Sequence, residues 1–485
     1  MHEGINSLTY AVRPAVLGKY LGQIGLILAL LTTIPLIASL VFGEYEFSDR
    51  YLIVIALLLV VGVPLSRLPS PDHVQGNEAL AITALAFVLA PLFMVWPMMD
   101  AGLSPLDALF EAVSAVTTTG LSTLATVQDK PHTFLFARAW IQWYGGLGIV
   151  VLSVALLMGH HITARQLSDT VGSDNLATTA RTHARRMLIV YLCLTLAGFV
   201  LLWAVIGRGE IALDFMLSAI STGGFSPFDQ SLAGLHGGGR AVLLLFSLAG
   251  SIPLVLYYRL YNRKWRIVAS DVELRAMVIA CLGFAFILTL LFHAGTDMGW
   301  AQALEHGAAL GISAQTTTGF SSLDIGGLGH VFQGVLIVAM AVGGGIGSTA
   351  GGFKILRLLI LLRLLQIVLR RSSMPSHAVA EPRLGGQVID REDMLHALFI
   401  ILLFILVVLV SWLIFLYFGY NPLQALFEVV SATGTVGLSS GLTGPDLPAQ
   451  LKLLLCADML LGRIEIVALL VVLYPPTWFG RRKEV

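Results

Sequence analysis

A chain of 485 residues that is 56% hydrophobic and only 12% charged, with mean hydropathy +0.84, is too apolar for a soluble globular protein, in which about a quarter of residues carry charge. Its charges balance, 29 Lys and Arg against 29 Asp and Glu, so no global field favours nucleic acid. The three cysteines, Cys193, Cys281 and Cys456, stand singly in apolar runs without metal-ligand spacing and read as small core hydrophobes. A polytopic membrane protein is left.

Arg13 and Lys19 precede the first long apolar run and no small-residue cleavage site follows closely, so the N-terminus predicts a retained helix, not a removable signal. Apolar segments long enough to cross a bilayer run over 21–42, 51–65, 79–98, 134–158, 187–206, 241–261, 276–292, 331–369, 395–418 and 451–474. These crossings, some of them broken, leave four shorter amphipathic pieces at 105–115, 212–219, 300–311 and 422–431, each between the members of a successive pair. Pieces of about ten residues do not reach across hydrocarbon and predict re-entrant half-helices.

Each piece ends at a variant of one motif: Val116-Thr117-Thr118-Thr119-Gly120-Leu121-Ser122, Ile220-Ser221-Thr222-Gly223-Gly224-Phe225-Ser226, Gln315-Thr316-Thr317-Thr318-Gly319-Phe320-Ser321 and Gly434-Thr435-Val436-Gly437-Leu438-Ser439. Ser and Thr compete for backbone hydrogen bonds and Gly supplies unusual dihedrals, so the motif suits an extended loop. Irregular backbone at membrane depth is tolerated only where protein or a water-filled cavity surrounds it. Four such loops facing one axis meet that condition, and their carbonyl rings would replace the water shell of a dehydrated cation. The expected fold is an all-α membrane protein. An N-terminal two-helix extension (1–70) precedes four pseudo-symmetric repeats of helix, half-helix, filter loop and helix around one pore (71–165, 166–267, 268–372 and 373–485).

Lys and Arg in the loops set the orientation. One side collects Arg13, Lys19, Arg67, Arg165, Arg181, Arg185, Arg186, Arg259, Arg263, Lys264, Arg266, Arg275, Arg370, Arg371, Arg383, Arg391, Arg481, Arg482 and Lys483; the loop-bearing side has Arg50, Lys130, Arg138, Arg208, Arg240 and Lys452. Both termini are then cytoplasmic, and the links 160–186 and 370–393 offer polar surface to a soluble partner. A glycine recurs in each second helix, Gly145, Gly250, Gly343 and Gly462, as a close-packing position or as a hinge or constriction. In the third copy it expands to Gly343, Gly344, Gly345, Ile346, Gly347, Ser348, Thr349, Ala350, Gly351 and Gly352. At about 1 kcal/mol per Gly relative to Ala, a continuous helix breaks there, as a gate or as a tight packing break.

Arg463 lies inside the last apolar segment, where a charge needs polar surroundings or a partner. Either it faces the cavity under the loops as a barrier to cations, or it pairs with Glu465 or Asp458. Lys354 is a weaker barrier candidate, or a cytoplasm-facing helix start. Glu111 and Glu428, nine residues before the glycines of copies one and four, suit a bracing role, accepting hydrogen bonds from loop backbone or hydroxyls, more than direct ion coordination. Asp107, Asp214 and Glu305 read as outer-vestibule charges or as half-helix starts. Gly345-x-Gly347-x-x-Ala350 lacks the strand-turn-helix unit of a dinucleotide site, Gly437-x-Ser439-x-Gly441 belongs to the fourth loop, and Gly347 to Lys354 ends in Ile355 where a phosphate loop needs Ser or Thr. None supports an enzyme.

With these residues the chain resembles the Trk/Ktr/HKT superfamily of potassium transporters, most closely the TrkH type of the bacterial Trk uptake system, over nearly its whole length. The four loops, the glycine stretch 343–352 and Gly462-Arg463-Ile464-Glu465 carry the resemblance. It implies a pseudo-tetrameric pore within one subunit, a homodimer in the inner membrane, and inward conduction of K⁺ with the glycine loop as gate. It also implies a cytosolic TrkA-type partner that binds NAD(H), ATP or ADP, with no organic cofactor on this chain. Gly120, Gly224, Gly319 and Gly437 would be the filter glycines, Arg463 the barrier, and glycine in all four copies the pattern linked to K⁺ over Na⁺. The ion-binding residues would be Thr117 to Gly120, Ser221 to Gly224, Thr316 to Gly319 and Gly434 to Gly437, the fourth copy relying on carbonyls where Gly434 and Val436 replace hydroxyl residues. The expected function is K⁺ uptake, also passing Rb⁺, through a gated pore. The alternatives are K⁺ symport with H⁺ or Na⁺, against which the sparse intramembrane acids speak, and a membrane-embedded enzyme or scaffold, for which no catalytic set and no use for four loops is visible.

Overall fold

The structure, a computed structural model, describes residues 11–70, 74–157, 176–373 and 381–479. The expected domain boundary at 165–166 and the charges Arg165, Arg481, Arg482 and Lys483 lie outside them. The chain is almost wholly helical, and its surface is studded with large apolar side chains such as Leu30, Val41, Val60, Leu196, Ile279, Phe286 and Leu402. A surface that apolar is stable in lipid, not in water; the protein is a multi-pass membrane protein.

Helices α1 (Pro14–Phe42) and α2 (Tyr45–Ser66) form a hairpin that packs on the rest through α3 and α5, with Trp140 Nε1 donating to Leu31 O at 2.9 Å. Four helix, half-helix, loop and helix units follow. They are α3 (Gly76–Met98), α4 (Pro105–Val116) and α5 (His132–Leu157); α6 (Leu176–Ile206), α7 (Gly209–Ile220) and α8 (Gly237–Ser251) with α9 (Leu254–Tyr261); then, after α10 (Trp265–Ser270), α11 (Val272–Gly295), α12 (Trp300–Gln315) and α13 (His330–Val342) with α14 (Ile355–Arg371); and α15 (Arg391–Tyr417), α16 (Pro422–Thr433) and α17 (Ala449–Arg463) with α18 (Val467–Leu473). Two of the half-helices start where the sequence caps them. Ser104 and Asn421 accept backbone N–H groups of the first turn ahead of Pro105 and Pro422, the proline losing nothing where an N–H has no helical partner.

Ring closure is visible in the packing. Each second helix lies against the half-helix of the next unit: α5 on α7, α8 on α12, α13 on α16, and α17 back on α4. Among the described residues seven helices are long and apolar enough to span, and the bent pair α8 and α9 makes an eighth; the other two expected crossings are assembled from short pieces. The stretch 241–261, expected as one span, bends by 93° instead, because Pro253 has no N–H to continue the ladder. The last span likewise stops at Arg463, where Glu465 and Ile466 take φ of +57° and +59°.

The recurring glycines are close-approach positions in three units. A Cβ on Gly145, Gly250 or Gly462 would fall 2.2, 2.4 or 1.9 Å from the carbonyl oxygen of Val116, Ile220 or Thr433, each at the end of its own unit's half-helix. Gly343 differs, meeting Gly351 O of its own loop. Cys281 and Cys456 are buried as expected, whereas Cys193 lies exposed on α6.

Gly145→Ala should therefore lower the melting temperature in detergent, since overpacking of about 1–3 kcal/mol outweighs the gain in helix propensity of about 1 kcal/mol. Gly334→Ala, also helical but with nothing within 4 Å of its added Cβ, should leave the melting temperature level or raise it.

Candidate ion pathway

Every half-helix ends in the same backbone device. The amide of the fourth-last loop residue closes on the helix, and the next two turn back onto it: Thr118 N–H to Ala115 O and Thr119 N–H to Ser114 O in the first unit, with Thr222 and Gly223, Thr317 and Thr318, Thr435 and Val436 in the others. This is a Schellman closure in which threonine occupies the left-handed position usually held by glycine. Thr118, Thr222, Thr317 and Thr435 have φ of +52°, +52°, +55° and +49°. A β-branched residue there costs about 1–2 kcal/mol, and it persists four times over because the surrounding structure over-determines it.

Two residues on, Gly120, Gly224, Gly319 and Gly437 have φ of +89°, +77°, +80° and +94°. A Cβ on Gly120 would lie 2.2 Å from Gly223 O, on Gly224 2.1 Å from Thr318 O, on Gly319 1.9 Å from Val436 O and on Gly437 2.1 Å from Thr119 O. The cycle runs one to two to three to four and back to one, so the loops converge on a common axis with carbonyls stacked at their mutual contacts. Among the described residues no hydrogen bond occupies the carbonyls of Thr118, Thr222, Thr317 or Thr435. Four half-helix C-termini, the negative ends of their dipoles, end at this ring and favour a cation.

Thr117 and Thr316 turn their hydroxyls back to the helix, onto Val113 O and Ile312 O at 2.7 Å each, and Ser221 does the same to Leu217 O. The hydroxyls at the left-handed position differ: those of Thr118 and Thr435 are buried without a partner, while Thr222 and Thr317 touch the glycine loop. Glu111 accepts the Ser122 hydroxyl at 2.6 Å and the Thr123 N–H at 3.0 Å. Glu428 accepts the Ser439 hydroxyl and the Ser440 N–H at 2.7 Å, and the Thr443 hydroxyl at 2.6 Å. The second loop, where Phe215 stands in place of the acid, is held by Gln142, which donates to Gly223 O at 2.6 Å and accepts the Phe225 N–H at 3.2 Å.

One set of residues escapes a search for loop motifs. Ser114, Ser218, Ser313 and Ser431 each stand six residues before a loop glycine, followed by alanine every time. Ser114 and Ser431 accept the N–H of Gly120 and Gly437 at 3.0 Å, whereas the hydroxyls of Ser218 and Ser313 are buried without a partner.

On one side of the loops opens a cavity of about 630 Å³, lined by the four glycines, Ser122, Ser321, Ser439, Arg138, Asp229 and Asp324. Its acids are not the expected ones. Asp107 pairs with Lys452 at 2.6 Å and Glu305 with Arg240 at 2.8 Å, and neither these nor Asp214 lines the cavity. Asp229 and Asp324 each follow a loop glycine by five residues, a spacing present only in copies two and three. Arg138 and Lys452 are not loop charges either; both are buried within helices.

On the other side the glycine loop closes directly against the threonines. Gly343 leaves α13 with φ +71°, and Gly344, Gly345 and Gly347 carry the chain past Ser251 and Pro253. Gly351 N–H donates to the Thr317 hydroxyl at 2.7 Å and Gly352 N–H to Gly434 O at 3.0 Å. The Thr349 hydroxyl reaches Ile220 O and Gly250 O at 3.0 and 2.9 Å, while Ser348 bonds back to Gly345 O. A Cβ on Gly351 would meet Gly434 O and the Thr435 hydroxyl at 2.1 Å. Arg463 Nη1 donates to Thr349 O at 2.7 Å, and the guanidinium borders a small cavity of about 30 Å³ with Gly347, Ser348, Gly351 and Lys354. The expected alternative, a pair with Glu465 or Asp458, is absent: Glu465 goes to Arg357 at 2.6 Å and Asp458 takes the Ser411 hydroxyl at 2.8 Å. Lys354 Nζ donates to Ala350 O, so it too serves the loop.

Ser431→Ala would leave the half-buried Gly437 N–H without its serine partner, at a cost of about 1 kcal/mol, and Ser313→Ala would remove a hydroxyl that bonds to nothing. Thermal unfolding of the two variants should therefore differ, with a clear drop only for Ser431→Ala.

Comparison with known proteins agrees with this geometry. The family described as TrkH, cation transport protein, matches residues 93–476. The Trk system potassium uptake protein TrkI of Halomonas elongata is 30% identical, the match covering 95% of this chain and 96% of that protein. An uncharacterized cation transporter of Methanocaldococcus jannaschii is 27% identical over 93% and 94% of the two chains. The crystal structure of the potassium transporter TrkH from Vibrio parahaemolyticus superposes with a TM-score of 0.84 at 25% identity, covering 95% of this chain and 99% of that one. A match over this length, on a chain whose four loops close a ring, makes the protein a member of the TrkH family of cation transport proteins.

Proposed function

We propose that this protein takes up potassium across the inner membrane through a K⁺-selective, channel-like pore, with the four threonine–glycine loops as its selectivity filter. The observation that carries the reading is the cyclic interlock of Gly120, Gly224, Gly319 and Gly437 with the carbonyls of the neighbouring loops, which leaves no room for a side chain and turns peptide oxygens toward one axis. A dehydrated cation needs such oxygens in place of its water, and the names of the relatives concern potassium uptake. Residues Thr117 to Gly120, Ser221 to Gly224, Thr316 to Gly319 and Gly434 to Gly437 hold the ion; Glu111 and Glu428 support them.

The glycine loop 343–352 is the gate. It sits across the threonine end of the filter, bonded to units two, three and four, and Arg463 both holds it through Thr349 and sets a positive charge beneath the ion. As in the expectation from the sequence, the protein acts as a homodimer with cytoplasmic termini, and a cytosolic TrkA-type subunit that binds NAD(H), ATP or ADP works the gate.

Purified protein in liposomes should pass K⁺ and Rb⁺ well ahead of Na⁺; equal Na⁺ flux overturns the selectivity. The reversal potential should follow the K⁺ gradient alone, and a shift with pH or Na⁺ would mark a symporter. Arg463→Ala should raise K⁺ flux, and deletion within 343–352 should raise flux without the partner; unchanged flux in both would remove the gate.

A further inference from the structure

Among the described residues some buried charges are ion-paired, while Asp458, Glu273, Lys354 and Arg463 have no ion pair and bond to hydroxyls or backbone. Arg138 is matched by Glu111, Lys452 by Asp107 and Arg357 by Glu465. Glu428 is wholly buried and, among the described residues, no ion pair reaches it. Its contacts are four hydrogen bonds from the Ser439, Ser440 and Thr443 hydroxyls and the Ser440 N–H. Their convergence on both oxygens suits an ionised carboxylate, which only accepts.

Glu111 occupies the same place in the first unit and holds the equivalent loop atoms, but Arg138 Nε and Nη2 both reach its Oε2 at 2.9 Å. Arg138 stands eighteen residues beyond Gly120 and lies 3.7 Å above the Phe225 ring of the second loop. At the same distance beyond Gly437 the fourth unit has Leu455, also buried. Two carboxylates of like geometry thus differ in charge balance: one is cancelled by a built-in arginine and the other is not. Units two and three contribute nothing at this position, where Phe215 and Leu310 stand. An uncompensated buried anion is costly unless a cation shares its surroundings.

We propose that Glu428 is the fixed counter-charge for the cation held by the four loops, and that Arg138 silences the equivalent charge of Glu111 so that only one is presented. The assignment rests on the filter reading above. One negative charge, two residues from the filter glycine through Ser439, offsets part of the dehydration of a monovalent ion; a second at the equivalent place behind the first loop would bind it more tightly and slow its release.

The test is Rb⁺ uptake into liposomes against external Rb⁺, together with K⁺-dependent thermal stabilisation of the purified full chain. Glu428→Gln should raise the half-saturating concentration about 10-fold, the order expected for one charge in a protein interior, and Glu428→Asp should recover most of it. The double variant Glu111→Gln with Arg138→Gln should lower the maximal rate through the lost brace, yet move half-saturation by less than about 2-fold, since no net charge is removed. Arg138→Gln alone, freeing the Glu111 charge, should lower the K⁺ concentration needed for stabilisation. Unchanged half-saturation in Glu428→Gln, or equal shifts in Glu428→Gln and the double variant, would overturn the assignment. If Glu428→Gln fails to fold, the Arg138→Gln stabilisation decides, an unchanged or higher K⁺ requirement counting against it. A wild-type chain indifferent to K⁺ and Rb⁺ would remove the filter reading as well, whereas normal wild-type uptake with the failed pattern removes this inference alone.

Discussion

The structure depends on a steric exclusion repeated around a circle. Each loop glycine faces a carbonyl oxygen of the next loop so closely that an added Cβ would fall 1.9 to 2.2 Å from it, and each sits at a φ that L side chains rarely adopt. Because the contacts are cyclic, no loop can shift without opening its neighbours. Rigidity here comes from backbone against backbone, with side chains serving as outer struts. The left-handed threonines directly before the ring add to this. Their strain of about 1–2 kcal/mol each is sustained by the half-helix closure beneath them and by the glycine loop pressed against two of their hydroxyls.

The four units are alike in backbone and unlike in support. Units one and four use a glutamate, unit two a glutamine from its neighbour's helix, and the serine six residues before the glycine is bonded only in units one and four. The second helices diverge as well: α5 is unbroken, α8 bends sharply into α9, α13 opens into the glycine loop and α17 stops at Arg463. Similar backbones with different struts keep one ring closed while one unit supplies the loop that lies across it. Arg463, Lys354 and the Thr349 hydroxyl all bond to that loop or its contacts, so polar groups from three units help set its position.

How much was legible in the residues alone follows from the range of the interactions. Half-helices, loops and the broken third helix are local matters of length, proline, glycine and hydroxyl content, and they stand where the pattern puts them. Glu111 and Glu428 were findable from their common offset, because a half-helix keeps that offset facing its own loop. Asp229 and Asp324 share an equally regular offset and were passed over, since acids after the loop look like ordinary turn residues. Arg138 looked like a loop charge because it lies near the start of an apolar segment; only its burial against Glu111 and Phe225 shows otherwise.

The amino-acid order by itself determined that the chain lives in a membrane, that it carries four copies of one threonine–glycine device, and that its third unit must break into a flexible stretch, because these follow from hydrophobic length and from backbone chemistry within a few residues. Only the tertiary structure decided the cyclic order of the loops, the placing of the glycine stretch beneath them, and which buried charge meets a partner. Those depend on contacts between residues far apart in the chain, such as Gly437 with Thr119 or Arg463 with Thr349, and no local pattern encodes which distant group will stand opposite.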